Sequence, residues 1–145
     1  MPSRNEYPAR PVPAVDAFVF REGGVLMVKR ADEPGKGQWS PPGGSVEVGE
    51  TVEQAAERET HEETGVAIRP LKVVDVREVI RWDEAARVRW HYVLLGVLCE
   101  YVSGEPFPGS DAENARFLPL QELGEYDVIP DAREALERVM GMRAP

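Results

Sequence analysis

At 145 residues the chain has the length of one domain, with room to bury a real core. Its formal net charge of −9, with no basic stripe to offset it, excludes nucleic acid and anionic membrane as expected partners but leaves a phosphorylated small molecule open. The longest apolar run, Tyr92 to Cys99, is far too short to cross a bilayer, and the charged, Pro-rich N-terminus lacks the apolar stretch of a signal peptide.

Residues 1–11 read as a loose Pro-rich arm. Val12 to Phe20 and Val25 to Arg30 are β-rich runs, and Arg21-Glu22-Gly23-Gly24 between them reads as a hairpin turn. Ala31 to Pro42 is a Gly/Pro-rich loop. A helix is expected over Val52 to Thr64, with Thr51 as N-cap, Gln54 completing a capping box and Gly65 at the position that ends a helix. Leu71 to Trp82 and Arg87 to Val102 follow as two long strands joined by Asp83-Glu84-Ala85-Ala86. The lone Cys99 has no partner for an internal disulfide and reads as a buried small hydrophobe in a reducing cytosol, so a cytoplasmic location is expected. Ala115 to Leu118 reads as a short strand, Leu120 to Leu123 as a helical turn and Asp131 to Met140 as a C-terminal helix. No repeat or linker divides residues 1–145, and the mixed order predicts a single α+β domain with a mixed β-sheet sandwiched between helices.

The helix carries the chemistry. At about 100° per residue, Val52, Ala55 and Ala56 define its apolar face. Glu59 and Glu63 fall on that same face at i and i+4, Glu62 lies at its edge, and Glu53, Gln54, Glu57 and His61 point elsewhere. Like charges at this spacing oppose helix formation by about 0.2–0.5 kcal/mol even in water. Burying them unpaired costs more or forces protonation. A cation is therefore expected between them, and hard oxygen ligands suit Mg²⁺ or Mn²⁺, which also hold substrate phosphates. Acidic helices are more often solvated faces, but the inward direction of Glu59 and Glu63 weighs against that here. Arg58 is expected to pair with Glu50.

The stretch Gly44 to Val66 resembles the Nudix box, Gly-x5-Glu-x7-Arg-Glu-U-x-Glu-Glu-x-Gly-U, where U is a bulky aliphatic residue. Gly44, Glu50, Arg58, Glu59, Glu62, Glu63, Gly65 and Val66 match without insertion. Thr60 departs from the pattern, polar where an aliphatic residue is usual, which implies looser packing rather than altered chemistry. Gln38-Trp39-Ser40-Pro41-Pro42-Gly43-Gly44 is similar to the family's Trp-x-x-Pro-Gly-Gly approach, with Pro41 where an apolar residue is more usual. The resemblance implies the Nudix fold and a metal set of Gly43, through its carbonyl, with Glu59, Glu62 and Glu63. It also implies a catalytic set of Glu62, Glu59, Arg58 and Glu50. In that reading Mg²⁺ neutralises a diphosphate and activates the water that attacks it. Glu62 is either a further ligand or the base, and the spacing leaves both open. A loop carboxylate often contributes in the family, which puts Asp111 and Glu113 forward against the plainer reading of a solvated loop.

Substrate choice lies outside the box. The tail Asp111 to Leu120 and the long strand pair look like those of bacterial ADP-ribose pyrophosphatase-like Nudix proteins, although the proline of one ADP-ribose subgroup is absent where Arg81 and Trp82 stand. Trp82 or Trp90 is a candidate to stack on a base, against the commoner fate of an aromatic as core. Arg77, with Arg81, Arg87 and Arg89, is a candidate for distal phosphates, against the commoner role of exposed strand arginines in solubility. His91 reads as structural. Asp111, Glu113, Arg77 and Trp82 are the substrate-binding expectations. The expected function is hydrolysis of a nucleoside diphosphate linked to X, ADP-ribose first. The alternatives are a nucleoside triphosphate pyrophosphatase and a non-catalytic nucleotide-binding module; family likeness adds a homodimer.

Overall fold

A strand that is apolar on both faces must be covered on both, and β1 (Val12–Arg21) is apolar at every position but Asp16 and Arg21. In the computed structural model, which describes residues 5–109 and 111–143, β1 lies in the middle of a mixed sheet. The turn at Glu22-Gly23 leads into β2 (Gly24–Arg30), antiparallel to β1 through Phe20↔Val25. Next come β3 (Trp39–Ser40), β4 (Gly43–Ser45) and α1 (Val52–Thr64). The long hairpin of β5 (Ala67–Trp82) and β6 (Val88–Ser103) follows, then β7 (Ala112–Pro119), a 3-10 helix (Leu120–Glu125) and α2 (Pro130–Arg143). The sheet runs β3-β2-β1-β6-β5, with β4 on β1 and β7 on β2. β1 and β6 are parallel from Val12↔Tyr92 to Val19↔Cys99.

Alternation along β1 divides the core. Val15, Ala17 and Val19 pack under α1 with Ala55, Ala56 and Val66. Phe18 packs on the other side with Met27, Trp39 and the α2 residues Ala135, Leu136 and Val139. This is the expected sheet between helices. Cys99 is buried in the first of these cores, and burial pushes its thiol up to about 12. Among the described residues no helix is long and apolar enough to cross a membrane.

Three expectations need correction. β5 begins at Ala67, ahead of Leu71, and passes through Pro70; its register against β6 shifts between Pro70 and Lys72. An edge strand tolerates a proline at such an irregularity because no ladder bond is lost. The loop Ala31 to Pro42 contains β3, which pairs with Val28 and Lys29. The arm is not loose where it is described. The Tyr7 N–H donates to the Arg89 carbonyl at 2.7 Å, Glu6 pairs with Arg89 at 2.5 Å, and the Asn5 amide donates to Ser45 Oγ at 2.7 Å. Residues 1–4 lie outside the described residues.

Asp16, the one acid inside the central strand, is buried and faces Arg77 of β5 at 2.5 Å. Arg77 is itself only 9% exposed and also bonds Asp75 (3.2 Å) and Asp131 at the start of α2 (2.9 Å). Arg138 of α2 closes the cluster on Asp75 at 2.8 Å. Burial raises the Asp16 carboxyl despite the pull of Arg77. Burial would lower Arg77, but Asp16 and Asp131 together raise it, so it stays charged. Removing one partner of such a cluster strands the others, at a cost of about 3–5 kcal/mol. Arg77→Met is therefore expected to lower folding stability by about that amount in urea titration, with Arg77→Lys intermediate; a loss under about 1 kcal/mol, as for an exposed pair, contradicts the cluster.

Candidate active site

The capping box fixes where α1 begins. Thr51 Oγ1 accepts from the Gln54 N–H at 3.0 Å, and Gln54 Oε1 accepts from the Thr51 N–H at 2.9 Å. Gly65 ends the helix at φ 75°, left-handed backbone that glycine adopts freely. With both ends set, Ala55, Ala56, Thr60, Glu63 and Thr64 are buried, while Glu53, Glu57 and His61 are exposed. The Thr60 hydroxyl donates to the Ala56 carbonyl at 2.7 Å, so this departure from the aliphatic pattern is buried with its polar atom satisfied.

Glu63 is only 8% exposed, and its Oε1 accepts from the Gly43 N–H at 2.8 Å. Gly43 sits so close to β1 that a Cβ there would overlap the Val15 carbonyl. A Cβ on Gly44 would come within 2.5 Å of Glu59 Oε2. The glycine pair thus lets two helix carboxylates reach the edge of β4.

Arg58 gathers the remaining acids. It holds Glu50 through two bonds of 2.6 and 2.9 Å, reaches Glu59 at 2.5 Å and Glu62 at 3.3 Å, and donates to the Ser45 carbonyl at 3.1 Å. The fork geometry suits arginine and would not suit lysine. These bonds hold the Glu50 carboxyl down to about 2. Burial pushes Glu63 up to about 8 and also raises Glu59 against the pull of Arg58.

The cation that the sequence calls for is thus partly internal, since Arg58 already neutralises Glu59 and Glu62. Among the described residues no three acidic, His or Cys side chains are gathered into a ready-made metal cage. The donor set nevertheless fits a hard divalent cation. Glu59 lies beside Gly44 and Glu63 beside Gly43 on successive turns, Glu62 is held by Arg58, and Glu63 is a carboxyl that burial protonates unless positive charge approaches.

A cavity of about 210 Å³ opens beside Gly43 and Gly44. Asp16, Arg77, Val79, Tyr92 and Leu94 line it from the sheet, Ile129 and Asp131 from the approach to α2, and Asn5 from the arm. Arg77 therefore reaches the cavity, although as a buried member of the aspartate cluster rather than an exposed strand arginine. Asp111 is exposed, and its charge contributes to raising Glu63; Glu113 is exposed on β7 and is not among the cavity walls. Trp82 is 60% exposed at the end of β5 and is not among those walls, although its neighbour Arg81 is. Trp90 is buried and stacks on Tyr92 at 6.3 Å. Asn5, Tyr92, Ile129 and Asp131 are cavity residues that sequence reasoning missed. Only Asp131 left a signal, as an acid in the first turn of a helix.

Comparison with known proteins places this geometry. The NUDIX domain model matches residues 10–139. An ADP-ribose pyrophosphatase from Methanocaldococcus jannaschii is 35% identical over 113 residues, 78% of this chain and 64% of that protein. The NAD-capped RNA hydrolase NudC of Pseudomonas aeruginosa is 34% identical over 120 residues, 82% of this chain and 40% of that protein. The chain thus matches less than two thirds of the length of these two relatives. A MutT NUDIX hydrolase structure from Burkholderia pseudomallei superposes with TM-score 0.76 at 32% identity, covering 90% of this chain and 98% of that one.

Glu63 also gives the metal-free protein a pH signature. Its folded value, about 8, lies above the ordinary 4.5, so the stability this group contributes is complete below the lower value and is lost as pH rises through the higher one. In EDTA, wild type is expected to lose stability relative to Glu63→Gln between those limits, with the variant the more stable at the alkaline end. Thermal midpoints that run parallel across this range contradict the burial of Glu63.

Proposed function

The chain belongs to the Nudix hydrolase family, and on that premise we propose that it is a Mg²⁺-dependent pyrophosphohydrolase of nucleoside diphosphates linked to X, with ADP-ribose the favoured substrate. The observation that carries this reading is the pairing of buried Glu63 with Gly43 and of Glu59 with Gly44 at the mouth of a cavity. The name of the M. jannaschii relative supports the choice of ADP-ribose.

Glu59, Glu62, Glu63 and the Gly43 carbonyl would hold the cation, Mg²⁺ or in its place Mn²⁺. Once bound, it supplies charge neutralisation for the diphosphate and a water of lowered pKa. The protein's own residues set the geometry. The Gly43 N–H orients Glu63, and Arg58, braced on Glu50 and the Ser45 carbonyl, restrains Glu59 and Glu62. Glu62, the most exposed of the three helix acids, is the one with freedom to take a proton from a nearby water. The cavity combines apolar walls from Val79, Leu94 and Ile129 with Tyr92 and the arginines Arg30, Arg77 and Arg81, a lining that suits a nucleoside carrying phosphate. A cytoplasmic setting and a homodimer complete the reading, the second open to light scattering.

A phosphate-release screen with Mg²⁺ tests the substrate. ADP-ribose is expected to yield AMP and ribose 5-phosphate. Preferred conversion of triphosphates to monophosphate and pyrophosphate would establish the alternative enzyme, and nucleotide binding without product would establish a binding module. Glu63→Gln is expected to lower kcat by at least about a hundredfold, beyond the usual loss for an outer-shell partner, with the fold retained. Wild-type turnover in that variant removes Glu63 from the metal set. Millimolar Mg²⁺ is expected to raise the thermal midpoint of wild type by linkage.

A further inference from the structure

The turn that joins β5 to β6 is organised by one carboxylate. Asp83 Oδ1 accepts from the Ala85 and Arg87 N–H groups, each at 2.9 Å, and Ala86 takes left-handed backbone at φ 62°. The second oxygen, Oδ2, accepts from the Tyr7 hydroxyl at 2.8 Å, and the Arg87 guanidinium lies over the Tyr7 ring at 4.4 Å. The Tyr7 N–H donates to the Arg89 carbonyl at 2.7 Å, while the Arg89 side chain pairs with Glu6 at 2.5 Å. Tyr7, although exposed, is therefore held by its hydroxyl, its ring and its backbone at once.

Its backbone is left-handed, at φ 50°, a conformation that is unfavourable for a bulky aromatic and persists only where the surroundings enforce it. Two residues earlier, Asn5 lines the cavity and donates its side-chain amide to Ser45 Oγ at 2.7 Å. Ser45 ends β4, and its carbonyl accepts from Arg58 at 3.1 Å. Residues 5–7 thus connect the hairpin turn to the strand that carries Gly43 and Gly44, and Asn5 is their contribution to the cavity wall. None of the three belongs to either core, so packing does not account for the clasp. An amide both donates and accepts hydrogen bonds, which is what nucleoside hydroxyls and base edges require of a partner.

We propose that Asn5 is a specificity-determining residue for the nucleoside moiety of the substrate, adenosine in the favoured one, and that Tyr7 is the positioning residue that holds it in the cavity wall. The inference rests on the nucleotide reading above and deepens it. A loose arm has to be ordered at each binding event, and a clasp on the hairpin removes that entropic cost beforehand. The strained bend at Tyr7 answers the same demand, since one short segment must meet Asp83 and Arg89 at one end and Ser45 at the other.

Titration calorimetry with AMP in EDTA tests the proposal apart from turnover and from the cation. Asn5→Ala and Tyr7→Ala are each expected to weaken AMP binding about tenfold, the scale of one well-made hydrogen bond. With Mg²⁺ and ADP-ribose, each is expected to raise KM by a similar factor while kcat stays within about twofold, the pattern of lost ground-state binding. The double variant is expected to bind as Asn5→Ala alone does, because Tyr7 acts through Asn5. Tyr7→Phe keeps the ring under Arg87 and is expected to lose less than Tyr7→Ala. Neither side chain belongs to a core, so the variants are expected to fold. Wild-type AMP affinity in either alanine variant, multiplying losses in the double variant, or a fall in kcat at constant KM overturns the arm's role. A wild type that binds no AMP overturns the adenosine reading itself, and the arm's role falls with it.

Discussion

A carboxyl group can be taken out of water against a backbone N–H only where the backbone comes close enough to meet it. Glu63 reaches Gly43 because that residue presents bare backbone between the helix and β1. The constraint propagates outward. β4 must pair with β1 through Val15↔Gly44 and Asp16↔Gly43, α1 must begin at Thr51 to bring Glu63 to the right turn, and Gly65 must end it there. The capping residues, the glycine pair and the apolar face of α1 are separate sequence features with one geometric outcome.

Two arginines on opposite faces of the sheet do different work with the same fork. Arg58 lies among acids that remain partly hydrated, and its bonds to Glu50 and Ser45 hold the loop before α1 to the helix. Arg77 lies among buried Asp16 and Asp75 and half-buried Asp131, where it holds one side of the cavity together. Asp16 joins the two regions, since its side chain meets Arg77 while its backbone pairs with Gly43. Rigidity on the cavity side is thus carried into the strand edge where the helix carboxylates arrive.

Local chemistry was legible in the sequence and distant chemistry was not. Both ends of α1, its inward and outward acids and the Arg58–Glu50 pair follow from spacing, because each depends on residues a few positions apart. The first strand followed from a β-rich run interrupted only by Asp16, while its central place in the sheet did not. β3 and β4 escaped notice because two or three residues carry no period; partners in β2 and β1 make them strands. The arm read as loose because proline signals an open chain, while its anchors Ser45 and Arg89 lie far away in sequence. Alternation can assign Arg77 to a face of β5, but not reveal that aspartates from three elements converge there. Trp82 and Trp90 show the same limit, one exposed and one buried although both sit in β-rich runs.

The parallel pairing of β1 with β6 has a further consequence, for the order in which the molecule assembles. Contacts between distant segments form slowly because the intervening chain must first be closed into a loop. α1 can form from local signals as soon as it is synthesised, but β1 beneath it has only β2 and β4 beside it until β6 emerges. The segment that bonds the end of α1 comes later still. During synthesis the acidic helix therefore precedes the surroundings that tolerate its inward carboxylates. Its charge keeps the nascent helix hydrated until the rest of the fold arrives.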